Sequence, residues 1–123
     1  MKHTNEFGPG IQVTPNLAYA KRYAGIKGAI LVFRSPDSRN FVTWKPSIDE
    51  WELLVAHHLG IKHRPQVPPQ FETADVIIGP VPRRLRMSSE GDLEQSDYIQ
   101  HAYASYHSCA KLAASLEGII YIS

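Results

Sequence analysis

Apolar residues fall in short blocks separated by glycine, proline and small polar clusters, and the period changes from block to block. Ile11–Val13 is a brief strand-type block. Thr14 as N-cap and Pro15 at the first helical position predict a helix over Pro15–Ala24, ended by Gly25 just past its last turn. Ala29–Phe33 is apolar throughout, the pattern of a central strand buried on both faces. A turn cluster, Pro36–Asn40, then separates it from a second strand over Phe41–Trp44.

Ser47-Ile48-Asp49-Glu50 has the spacing of a capping box, in which Ser47 caps the amide three residues on and Glu50 reaches back. The helix it opens carries Trp51, Leu54, Val55 and His58 on one stripe and stops at Gly60. Three prolines in His63–Gln70 argue against a regular element there. Ala74–Ile78 is a second buried-strand candidate, stopped by Gly79-Pro80. Pro82–Arg86 and Ser88–Asp92 are polar and read as exposed loop. Tyr98–Tyr103 is a strand. Ser105–Leu116 is a helix burying Cys109, Leu112, Ala113 and Leu116, and Gly118 ends it before a last strand, Ile119–Ile122. Strands and helices alternate irregularly, which favours an α+β fold with about three helices over a doubly wound sheet.

Composition narrows the class. The 123 residues make one domain, 1–123, with room for a core. The hydrophobic share of 43% and charged share of 20% are those of a globular chain, not a disordered one. A formal net charge of +1 gives no general pull toward nucleic acid or a membrane surface. No apolar run approaches the roughly 20 residues of a spanning helix, and the N-terminus has no leader-like apolar core. A single cysteine, Cys109, rules out an internal disulfide framework. The expectation is a cytoplasmic chain.

Candidate chemistry is sparse. The six histidines show no metal-ligand spacing, and adjacent His57 and His58 diverge on a helix. Gln100 stands out as an amide in an otherwise apolar strand, where burial needs a reason; outward exposure is the plainer alternative. His101 should face away from it. Gly8 and Gly10 bracket Pro9 in a turn through which a backbone can approach a ligand closely, or simply turn tightly. Arg83, Arg84 and Arg86 form the only basic cluster, suited to phosphate or to a solvated loop, and Arg84-x-Arg86-x-Ser88 has the spacing of a basophilic kinase site. The rest of the chain offers nucleic acid no basic surface. Asp75 reads as a backbone cap, Glu50 as half of the capping box, Trp51 as a core anchor and Cys109 as a buried residue.

The run Phe7-Gly8-Pro9-Gly10-Ile11-Gln12-Val13-Thr14, leading into an alanine-rich segment, resembles the second signature of the ADP-ribosyltransferase superfamily. Glu50-Trp51, Asp75-Val76-Ile77-Ile78-Gly79-Pro80 and Gln100 followed at five residues by Ser105 extend the likeness along nearly the whole chain. Together they resemble an uncharacterised microbial and fungal family grouped with that fold. The resemblance implies a split, mostly antiparallel sheet with an NAD cleft. It also implies a triad: His or Arg on an opening strand, Tyr or Ser on the second-signature strand, and Glu or Gln on a late strand. Gln100 matches the late position, and Gln12 stands where many relatives carry Tyr. Only His3 precedes the turn, so the expected fold lacks its first strand. Cleaving nicotinamide from NAD develops positive charge, which a carboxylate stabilises and a neutral amide does not. The implied function is NAD binding with weak transferase or NAD glycohydrolase activity; Gln100 would orient a ribose hydroxyl, and Gly8, Gly10, Gln12, Arg83 and Arg84 would contact the cofactor. The rival is a catalytically inactive protein-interaction domain that keeps the fold and assembles as a homo-oligomer through an uncovered sheet edge.

Overall fold

The computed structural model describes residues 6–26, 28–59, 66–84 and 93–122. In chain order they form β1 (Ile11–Val13), α1 (Leu17–Ala24), β2 (Ala29–Phe33), β3 (Thr43–Trp44), α2 (Ile48–Leu59), a 3-10 turn (Pro69–Glu72), β4 (Val76–Arg84), β5 (Leu93–Tyr103), α3 (Tyr106–Ala113) and β6 (Leu116–Tyr121). The fold is α+β. Four strands make one sheet in the order β1-β5-β4-β3, and β2 pairs with β6 in a separate two-stranded ribbon. Every pairing is antiparallel except β3 with β4.

Register divides the larger sheet into two faces. Gln12, Ala102, Ile77 and Trp44 lie on one rung and so point to the same side. That side is covered by α2: Trp51, Leu54 and Val55 join Phe7, Trp44, Ile77 and Ala102 in one buried cluster. On the other side Val76 and Tyr103 pack with Leu112 of α3. The α2 stripe and its capping box form as the sequence predicts: the Ser47 N–H donates to Glu50 Oε1 at 2.9 Å, and the Glu50 N–H donates to Ser47 Oγ at 3.3 Å. Helix α2 is described to Leu59, and the stop expected at Gly60 lies outside the described residues.

Several boundaries differ from the sequence reading. Asn16, not Thr14, caps α1, its side chain accepting from the Tyr19 N–H at 2.8 Å. Thr14 is held out of the helix because its hydroxyl donates to the Ile99 carbonyl at 3.0 Å, tying the end of β1 to β5. Gly25 ends α1 at φ 82 as expected. Strand β2 is not central, because β6 is its only partner among the described residues, and Leu31 is 53% exposed. Of Phe41–Trp44 only the last two residues are strand. Pro69 opens a 3-10 turn, since the first position of a turn needs no N–H. Gly79-Pro80 does not stop β4. Strand β3 pairs only with Val76 and Ile77, so beyond them β4 has a neighbour on one side alone, and a register shift between Pro80 and Pro82 absorbs the prolines. Helix α3 ends at Ala113, Leu116 begins β6, and Ala113 and Leu116 are exposed rather than buried; Gly118 lies inside β6.

Candidate functional site

The site is built on the α2-covered face of the larger sheet. Gln100 is two residues from Ala102 on β5 and therefore points to the same side, opposite Gly79 of β4. It is 6% exposed, and its side-chain nitrogen has no hydrogen-bond partner among the described residues. A Cβ on Gly79 would lie 3.2 Å from the Phe7 ring and 3.5 Å from Trp51 Cδ1. The bare glycine thus lets both rings close over the strand beside Gln100. The Trp51 indole N–H donates to the Pro80 carbonyl at 2.8 Å and fixes that ring.

The structure brings Gln12 and the glycine turn to the same face. Gln12 is opposite Ala102, one step diagonally from Gln100, and its amide donates to the Gly8 carbonyl at 3.2 Å. Both turn glycines have left-handed or mirror-region φ, 92 for Gly8 and 139 for Gly10. Their freedom is used within the fold. A Cβ on Gly10 would sit 2.3 Å from the Tyr103 carbonyl oxygen, and one on Gly8 would meet the His58 ring at 2.8 Å and Phe71 at 3.0 Å. Close approach is therefore real at both positions, to β5 and to α2.

Arg83 lies elsewhere. It pairs with Glu94 where Gln100 pairs with Gly79, four β4 residues away, or about 13 Å along the strand. Its exposed guanidinium already forms an ion pair with the Glu94 carboxylate. Arg84 closes β4, but its side chain, like Arg86 and Ser88, lies outside the described residues. His101 faces away from Gln100, on the rung of Val13 and Ile78, as alternation requires. Burial, with Lys45 adding to it, holds its pKa below the usual histidine value.

Three features were missed from sequence. Tyr98 of β5 stacks on Tyr19 of α1 with ring centroids 4.7 Å apart. The Arg22 guanidinium lies 5.7 Å from the Tyr98 centroid. The signal available was the i, i+3 spacing of Tyr19 and Arg22 on α1. Burial, then the Glu6 carboxylate, raises the Tyr19 pKa. Second, His58 packs against Phe71 at 5.1 Å, and its Nδ1–H donates to the Leu54 carbonyl at 2.9 Å, turning Nε2 toward Gly8. Third, Asp75 does more than cap one amide. Its carboxylate accepts from the Val42 N–H at 2.7 Å and the Ser105 hydroxyl at 2.6 Å. The Ser105 bond, then the Val42 bond, holds its pKa below the usual carboxylate value.

The arrangement offers a buried amide donor and, on the same face, a backbone turn braced by Gln12. No carboxylate faces Gln100 on its own rung or on the next two positions of β5. Among the described residues no helix is long and apolar enough to cross a membrane, and no group of three metal-ligating side chains converges. Compared with protein-family models, with curated proteins and with solved structures, the chain matches none of them.

Proposed function

We propose that the α2-covered face around Gln100 binds NAD or a related nucleotide, and that the domain is an ADP-ribosyltransferase-related module with a degenerate catalytic site. One observation carries this reading: the buried, unpartnered amide nitrogen of Gln100. A buried donor without a partner costs about 1–3 kcal/mol, and a ligand oxygen placed against it recovers that cost. A ribose hydroxyl is an acceptor of the right size. Gln12 and the Gly8–Gly10 turn frame the same face. The α+β fold with mostly antiparallel pairing is what this reading requires of the chain. Phosphates would reach Arg83 only by displacing Glu94.

A neutral amide orients a hydroxyl or a water but supplies no charge to an oxocarbenium-like transition state. The module therefore binds NAD and turns it over slowly as a glycohydrolase or transferase, if at all. Calorimetric titration tests this. Saturable NAD binding at or below roughly millimolar levels is expected, and it should vanish in Gln100→Leu. No binding at that level refutes the nucleotide reading. A second reading, an inactive protein-interaction domain, draws on a different observation: the apolar exposure of the β2–β6 ribbon.

A further inference from the structure

We propose that Phe7 is a plug: its ring closes the Gln100 site in the unliganded chain and swings out about Gly8 to admit a flat ring of the ligand. This gating presupposes the nucleotide site described above and accounts for how a ligand reaches a sealed amide. The Gln100 side-chain nitrogen is buried, and the residue as a whole is 6% exposed. A ligand oxygen therefore meets it only after a covering group moves.

Two rings form the cover. Gly79 stands opposite Gln100, and a Cβ there would lie 3.2 Å from the Phe7 ring and 3.5 Å from Trp51 Cδ1. The two are held very differently. Trp51 lies inside α2, is 1% exposed, and donates its indole N–H to the Pro80 carbonyl at 2.8 Å. Displacing the indole costs that bond. Phe7 is fully buried, but its backbone lies in a turn. No backbone hydrogen bond joins residues 6–9 to another described residue. The Gln12 amide, which donates to the Gly8 carbonyl at 3.2 Å, is the only side chain bonded to that turn among the described residues. Segments with so few bonds to their surroundings open at low free energy. Gly8 supplies the pivot: its φ is 92, and a residue without a Cβ passes readily between that region and negative φ. Gly10 stays in place, because the Tyr103 carbonyl closes against it. The plug thus turns ahead of β1 and leaves Gln12 where it is. The slot that Phe7 vacates has the width of an aromatic ring, because it holds one. It lies in the apolar cluster with Trp51, surroundings that suit a flat heteroaromatic ring. With the open state at roughly a tenth of the molecules or less, the closed plug weakens apparent affinity about tenfold or more.

Fluorine NMR on the chain labelled with para-fluorophenylalanine tests the plug, with calorimetry run alongside. The chain has four phenylalanines, and Phe7→Leu assigns the signal of residue 7. Saturating NAD should move the Phe7 signal to a solvent-exposed position in wild type, read as a solvent isotope shift, and leave it unmoved in Gln100→Leu. Phe7→Ala should bind NAD about tenfold more tightly than wild type. If Phe7→Ala fails to fold, the Phe7 signal in wild type decides. NAD that binds wild type with the Phe7 signal unmoved overturns the plug and leaves the nucleotide reading standing, and so does a folded Phe7→Ala that binds no tighter than wild type. No binding to either wild type or Phe7→Ala refutes the nucleotide reading, and the plug falls with it.

Discussion

Asp75 shows how one side chain joins three parts of the chain. It sits just before β4, holds the Val42 amide of the segment leading into β3, and receives the hydroxyl of Ser105, which itself caps α3. Hydrogen bonds to a charged group contribute about 1.5–3 kcal/mol each, so Asp75→Ala should lower unfolding stability by about 2 kcal/mol or more in urea titrations. The pH dependence has a definite sign. A carboxylate whose folded pKa lies below its unfolded value contributes stability that is fully present above the unfolded value, about 3.9. That contribution is lost as pH falls through the depressed folded value. Urea midpoints measured from pH 7 to pH 3 should therefore fall more in wild type than in Asp75→Asn, and equal slopes would show that Asp75 carries no such linkage. Gln100 is the reverse case. Its nitrogen is buried for no internal partner, so removing it should stabilise the apo fold.

Among the elements, β1 depends most on a single atom's absence. Gly10 lets the strand approach the Tyr103 carbonyl closely, and its φ of 139 is one an L side chain rarely adopts. Gly10→Ala should cost more than 2 kcal/mol in urea unfolding, through backbone strain and clash together, and should loosen β1 from β5 as faster amide exchange at Ile11–Val13. A cost below 1 kcal/mol would contradict the close approach. Element existence was legible where the cause is local: the Ser47–Glu50 box, the Trp51/Leu54/Val55 stripe, the three-residue strand β1 and the glycine ending α1 all follow from neighbours in sequence. What was not legible depends on distant partners. Thr14 has the chemistry of a cap, yet Ile99 claims its hydroxyl. Ala29–Phe33 has a central strand's composition, yet a partner count is not written in it. Gly79-Pro80 looks like a stop, and becomes strand because β3 is too short to demand the missing donor. The burial of Gln100 was legible in its odd polarity among apolar neighbours, whereas the Tyr98–Tyr19 stack required knowing that α1 returns over β5.

For the whole molecule, the larger sheet is covered on one side by α2 and on the other by α3, while the smaller ribbon is left open. The central claim is that Gln100 is buried for a ligand rather than for the fold. Functional groups held at the expense of stability are expected to trade one for the other. The most direct measurement is the melting temperature of wild type and Gln100→Leu, each with and without millimolar NAD. Gln100→Leu should melt several degrees higher than wild type without ligand, as about 1 kcal/mol of relieved burial implies, and only wild type should gain further with NAD. A Gln100→Leu variant that melts lower than wild type, with NAD moving neither protein, would contradict that claim.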